Sequence, residues 1–231
     1  MTREAFSARL IGRIFDADLR YACVTNLCYE AMYKGMHGVQ VFPNMVPLCR
    51  KTLAGSGVKL GAVVTYPHGI FPPELKVFEA KDLVAAGADE LVVAMNTIDL
   101  RSGRPEAVRE EMAALRAAVP NTVVKFIIET EFMPDDCIVK AAELAVECGI
   151  DGLVTSTGLY NKLDAQKNDL PIQTTPEEVT LIKGVVGDRV SVQAQGNIAT
   201  VAHARALLAA GADFLSSRFA AKLYDEFEQE G

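Results

Sequence analysis

Residues 72–95 read PPELKVFEAKDLVAAGADELVVAM. Two prolines open the stretch, where a fixed helical φ helps and a missing N–H costs a helix nothing. Apolar residues then recur at helical spacing as far as Gly87. Glycine suits the position just after a helix, because a left-handed residue there satisfies the last carbonyls. Beyond it the pattern changes, and Leu91, Val92, Val93 and Ala94 follow without interruption. A run with no polar face predicts a parallel strand buried on both sides.

The same grammar recurs along the chain. GMHGVQVF (35–42), GIDGLVTS (149–156) and GADFLSS (211–217) each set a glycine, a short polar step and an apolar run in that order. Further apolar runs are RLIGRIFDA (9–17), VKLGAVVTY (58–66), TVVKFIIET (122–130) and RVSVQAQGN (189–197). Helices are expected at PDDCIVKAAELAVECG (134–149) and TPEEVTLIKGVVG (175–187) as well as at 72–87. Eight strand–helix alternations in a chain of 231 residues predict an α/β protein, the (β/α)8 TIM barrel. A doubly wound open sheet is the competing architecture, but no GxGxxG follows the first strand. No linker, low-complexity segment or charge block interrupts the 231 residues, so one barrel domain over 1–231 is expected.

Half the residues are hydrophobic and 23% are charged, enough to bury a sizeable core. A formal charge of -7 argues against nucleic acid or an anionic membrane as partner. No run approaches the roughly 18 apolar residues of a membrane span. MTREAFSARLIGR (1–13) lacks the apolar region of a secretion signal, so a cytoplasmic location is expected. Cys23, Cys28, Cys49, Cys137 and Cys148 are odd in number and show no CxxC spacing. Neither a disulfide framework nor a zinc site is expected. No His/Asp/Glu group has metal-ligand spacing, and no cofactor is expected. The expected partner is a small molecule, and homo-oligomerisation stays open.

One stretch stands out chemically. DGLVTSTGLYNK (151–162) opens from an apolar run into Thr155, Ser156, Thr157 and Gly158. Hydroxyls beside bare backbone suit an oxyanion. Val154, where strand meets cluster, carries no reactive group.

From about residue 16 to 225 the chain resembles the deoxyribose-phosphate aldolase family. The resemblance rests on ELKVFEAKDLVAAGADEL (74–91), with LCYEAMYKGMHGVQVFP (27–43), VKFIIET (124–130), DGLVTSTG (151–158) and VSVQAQGNI (190–198) in support. It implies a (β/α)8 barrel with its site at the C-terminal strand ends. It also implies aldol chemistry through a lysine Schiff base, and a substrate phosphate near the last strands. By the same resemblance the Schiff-base lysine falls on Val154 and a second active-site lysine on Gln193. A proton-transferring aspartate falls on Val92, and a common cysteine on Gln40. Valine cannot condense with a carbonyl and glutamine has no basic nitrogen, so the usual mechanism lacks its residues here.

Alternation along strands then selects what else faces inward. It groups Gly152, Val154 and Ser156; Ser191, Gln193 and Gln195; Gln40, Phe42 and Asn44; Val92, Ala94 and Asn96; and Lys125, Ile127 and Glu129. Candidate catalytic residues are Asp16, Lys125, Glu129 and His68. Lys125 is either a relocated nucleophile or a structural partner of Glu129 or Asp16. Two carboxylates in different surroundings can serve as acid and base, and a histidine such as His68 is a residue type able to act as general acid or base. His68 is equally readable as an exposed loop residue. Asp18, Gln40, Asn96, Gln193 and Gln195 are candidate substrate-binding residues. For a phosphate or carboxylate the candidates are Thr155, Ser156, Thr157, Gly158, Gly196, Asn197, Ser216, Ser217 and Arg218. Arg218 would bind an anion by a guanidinium fork or fill its pocket.

These readings predict a divergent aldolase-like lyase acting on a small carbonyl compound that bears phosphate or carboxylate. A catalytically inactive binder and an isomerase, cyclase or dehydratase are the alternatives.

Overall fold

The computed structural model describes residues 1–15, 18–159, 161–163, 169–171 and 173–227, the two short segments 161–163 and 169–171 by backbone alone. Its strands are β1 (Leu10–Arg13), β2 (Gly38–Val41), β3 (Lys59–Val64), β4 (Glu90–Ala94), β5 (Val123–Ile127), β6 (Gly152–Val154), β7 (Asn161–Leu163), β8 (Asp169–Pro171), β9 (Ser191–Gln195) and β10 (Phe214–Ser217). Its helices are α1 (Arg3–Ser7), α2 (Tyr21–Lys34), α3 (Val46–Thr52), α4 (Pro73–Ala85), α5 (Thr97–Arg101), α6 (Pro105–Ala118), α7 (Asp135–Glu147), α8 (Pro176–Val186), α9 (Val201–Ala209) and α10 (Ala220–Glu226).

Eight of the strands close a parallel barrel in the order β1-β10-β9-β6-β5-β4-β3-β2. All eight fall within the apolar runs read from the sequence. The helices expected at 72–87, 134–149 and 175–187 run Pro73–Ala85, Asp135–Glu147 and Pro176–Val186. The last of these begins with a reciprocal cap, Thr175 on the Glu178 amide and the Glu178 side chain on the Thr175 amide. The antiparallel β7–β8 hairpin was not expected. Its segments lie in NKLDAQKNDLP (161–171), which has no apolar alternation to mark a strand.

Alternation sorts the barrel's side chains into two populations. Val39, Leu60, Leu91, Phe126, Leu153, Val192 and Leu215 point outward, fully buried beneath the helices. Burying such a side chain contributes about 1.5–3 kcal/mol, so this layer carries much of the stability. Facing inward near the mouth is a small apolar group of Phe15, Val63, Val92, Ile127 and Val154. Phe42 and Tyr66 pack on it. Phe15 lies 5.3 Å from Phe42 and 4.9 Å from Tyr66, centroid to centroid.

At the opposite, N-terminal end the interior is charged. Lys125 Nζ donates to Glu90 Oε2 at 2.6 Å, and Glu90 Oε1 lies 3.1 Å from His37 Nε2. Gly152 makes this possible, since a Cβ there would come within 2.8 Å of Lys125 Cγ. Burial would raise the Glu90 carboxyl pKa. The His37 hydrogen bond and the Lys125 charge outweigh that and hold it at about 2. A carboxyl depressed in the folded state stabilises above its unfolded pKa, and the gain is lost as pH falls through the folded value. Glu90→Gln is therefore expected to cost about 3 kcal/mol at pH 7. The difference from wild type should shrink as pH drops from about 4.5 towards 2. Urea midpoints across that range test this; a pH-independent difference would contradict it.

Candidate active site at the barrel mouth

Where strands end, the backbone is strained. Thr65, Glu129 and Asn197, just beyond β3, β5 and β9, have φ of 47°, 50° and 47°. Non-glycine residues in this region cost free energy, and such strain concentrates at functional sites. At Glu129 the strain is imposed from both sides. Ile128 N donates to Val154 O at 2.9 Å, and Thr130 N to Thr155 O at 2.7 Å.

The left-handed turn breaks the alternation of β5 and aims the Glu129 carboxylate at the segment after β6. Ser156 Oγ donates to its Oε1 at 2.7 Å, and Thr157 N lies 3.2 and 3.1 Å from its two oxygens. The residue is 7% exposed. Burial pushes its pKa above the usual carboxylate range, the Ser156 and Thr157 hydrogen bonds oppose the rise, and the nearby Glu131 charge adds to it. Glu129 also lines a pocket of about 280 Å³ with His68, Thr97, Arg101 and Thr157, walled by apolar groups such as Met95 and Ile127. His68 is exposed on this pocket's rim.

Lys125 is not gathered here. It is 2% exposed and faces the N-terminal floor; among the described residues its carboxylate partner is Glu90, rather than Glu129. Its ammonium also lies 4.8 Å from the Phe214 ring centroid and 3.3 Å from Gln193 Oε1. Asp16 lies outside the described residues. Asp18 is exposed in the turn after β1.

The glutamines expected to contact substrate contact one another. Gln40 and Gln193 exchange amide hydrogen bonds of 3.2 and 3.3 Å across the interior. Ser216 Oγ donates to Gln40 at 3.0 Å, Gln193 to Gln195 at 3.4 Å, and Gln195 to Thr157 O at 3.1 Å. All three are at most 1% exposed. Buried amides must be satisfied, and here the barrel satisfies them itself. Asn96 caps α5, bonding Asp99 through both ends of its amide.

The expected anion-binding hydroxyls do not converge on one point either. Thr155 Oγ1 donates to Gln195 O at 2.9 Å, and Ser156 and Thr157 hold Glu129. Gly196 packs against Thr174, and Asn197 is exposed. Ser217 Oγ donates to Ile198 O at 2.6 Å. Arg218 is exposed, its guanidinium 5.3 Å from the Phe219 ring centroid.

Two cations at this mouth were missed, Arg101 in the pocket lining and Arg13. Arg13, at the end of β1, is 6% exposed, with its guanidinium 5.6 Å from the Phe15 ring centroid. It lies against Gly158, where a Cβ would come within 2.5 Å of Nη2. Alternation along RLIGRIF (9–15) puts Arg13 with Ile11 and Phe15, a signal that was available in the sequence. Tyr66 Oη, from the loop after β3, donates to Thr157 O at 2.7 Å and ties that loop to the same turn. Among the described residues no three His, Cys, Asp or Glu side chains are grouped to hold a metal ion.

A closed eight-stranded parallel barrel with strained residues and a buried acid at its C-terminal mouth has the layout of a TIM-barrel enzyme. Residues 8–212 match the model of the DeoC/LacD family aldolases, and the chain belongs to that family. It is 33% identical over 211 residues to the deoxyribose-phosphate aldolase of Caldanaerobacter subterraneus subsp. tengcongensis, covering 90% of this chain and 87% of that one. It is 36% identical over 183 residues to that of Rhodospirillum rubrum, covering 79% and 73%. The tetrameric deoxyribose phosphate aldolase from Aeropyrum pernix superposes with a TM-score of 0.83 at 27% identity, covering 97% of this chain and 91% of that one. No described helix is long and apolar enough to cross a membrane.

Proposed function

We propose that this aldolase-family chain is a lyase that works by acid–base chemistry at Glu129, without a Schiff base. Its substrate is a small carbonyl compound with an anionic group. The observation that carries this reading is Glu129 itself, a buried carboxyl with raised pKa, held by Ser156 and Thr157 beside a pocket. A carboxyl tuned upward towards the working pH exchanges protons more effectively than an ordinary one. Glu129 would take the proton from the hydroxyl β to the carbonyl as the carbon–carbon bond breaks. The bonding electrons pass to the carbonyl as an enolate, which regains a proton at carbon. His68 on the rim is the second group able to carry a proton.

The absence of a Schiff base is supported by two positions. Val154, where the resemblance puts the family lysine, belongs to the apolar group at the mouth. Lys125 is held by Glu90 below the glutamine layer, so an aldehyde would have to displace that layer to reach it. The self-satisfied glutamines also favour a second reading, a non-catalytic barrel that only holds a ligand.

One experiment separates these. Small phosphorylated and carboxylated aldehydes and ketones are incubated with the protein in D2O and followed by proton NMR. Cleavage, or loss of the proton signal next to the carbonyl, is expected for at least one compound. Borohydride is expected to leave no adduct on Lys125 by mass spectrometry. An adduct there would overturn the mechanism, and inertness across the panel would favour the non-catalytic reading.

A further inference from the structure

Arg101 ends α5 and lines the pocket beside Glu129 from its exposed side. Among the described residues no carboxylate forms an ion pair with it; the nearby Asp99 is engaged by Arg104 at 3.1 Å and by Asn96 Nδ2 at 2.6 Å. The rest of the lining is mostly apolar, with Ile70, Met95, Ile98, Ile127 and Phe132 prominent. Ile70 and Ile98 are 52% and 56% exposed, large apolar surfaces that a ligand would cover. A buried acid, a cation without a carboxylate partner, and an apolar wall between them make three separate demands on one ligand.

A sugar phosphate meets these demands poorly. Hydroxyls facing Ile70, Ile98 and Phe132 would be desolvated without partners, which costs affinity, and His68, Thr97 and Thr157 could bond only those on their own side. The guanidinium fork bonds phosphate and carboxylate alike, but the single Arg101 charge balances a carboxylate fully and a phosphate dianion only in part.

Resting on the acid–base reading of Glu129, we infer that the pocket takes a carbonyl-bearing carboxylate with an apolar body. Arg101 holds the carboxylate and is the residue that determines specificity. The apolar body lies on Ile98 and Phe132, and the carbonyl faces Glu129.

The test is isothermal titration of wild type, Arg101→Gln and Glu129→Gln with phenylpyruvate, ketoisocaproate, phenylacetone and deoxyribose 5-phosphate. Phenylacetone has the apolar body and carbonyl of phenylpyruvate without its charge. The two oxo acids are expected to bind wild type more tightly than deoxyribose 5-phosphate does. Arg101→Gln should weaken the oxo acids about tenfold and leave phenylacetone unchanged. Arg101 is exposed, so thermal unfolding of the variant should match wild type. Equal binding of the oxo acids to wild type and Arg101→Gln would overturn the inference. So would tighter binding of deoxyribose 5-phosphate, or no oxo-acid binding at millimolar concentration. Glu129→Gln keeps the two ideas apart. Arg101-dependent binding that survives in it supports this pocket whether or not turnover depends on Glu129.

Discussion

Glutamine in place of Glu129 is expected to slow turnover about 100- to 10,000-fold, the usual contribution of a positioned general acid–base group. The amide has nearly the shape of the carboxyl, and its oxygen can still accept from Ser156 Oγ and Thr157 N. It cannot exchange a proton, so the loss should appear in kcat and leave ligand affinity within a few-fold. Stability should change little, because the variant removes a desolvated ionisable group and keeps the same backbone. The pH profile carries an independent sign. With a pKa raised by burial, the wild-type rising limb should lie above the ordinary glutamate value of about 4.3. That limb should vanish in the variant. Unchanged turnover in Glu129→Gln would exclude this residue from the chemistry.

Methionine at Lys76 is expected to cost about 3–5 kcal/mol of stability, the range for breaking a buried ion pair from one side. Lys76 and Glu111 are 0% and 4% exposed at the side chain and 2.6 Å apart. They lie outside the barrel, between α4 and α6. Lys76 Nζ also donates to Ala94 O at 2.8 Å, and Glu111 Oε2 accepts from Asn96 N at 3.4 Å. The pair therefore clamps the end of β4, where Ala94 and the next residue, Met95, line the pocket beside Glu129. Burial pushes the Glu111 pKa up even with its partner present. Without Lys76 that rise should be larger. A carboxyl with a raised folded pKa destabilises as pH climbs from its unfolded to its folded value. The penalty in Lys76→Met should accordingly be smaller at pH 5 than at pH 8, as read from urea midpoints. Adding Glu111→Leu should recover much of the loss. A cost below about 1 kcal/mol for the single variant would show that the pair is not needed.

The barrel was legible because most of its strands contain an uninterrupted apolar run, and several begin after a glycine. Faces were legible too. Alternation puts Val154, Val92, Gln40, Gln193 and Lys125 inside, where they are. Depth along the axis was not legible, because alternation names a face and not a layer. Lys125 therefore appeared beside Glu129, four residues on in the same apolar run, whereas its partner Glu90 begins the neighbouring strand. The hydroxyls of residues 155–157 were visible as a polar cluster. What they bind depends on the left-handed turn at Glu129, and a glutamate announces no such turn. The glutamines looked like substrate contacts because sequence shows amide groups without showing who satisfies them.

Gln40 and Gln193 sit on β2 and β9, strands separated in the barrel by β1 and β10. Their amide pair is thus a crossbar spanning the lumen. Amides do not titrate in the working range, so the bar should hold at acid and alkaline pH alike. The valines Val63, Val92 and Val154 and the rings of Phe15, Phe42 and Tyr66 pack together in the lumen near the mouth. Among the described residues, a molecule arriving down the axis meets a packed bore. Among the described residues two clefts open at this end, one beside Glu129 and the other, of about 340 Å³, between Phe42 and Leu75. What such a barrel admits is set by the width of a side door, and loop changes after β3 to β5 can retune that width while the bore stays shut.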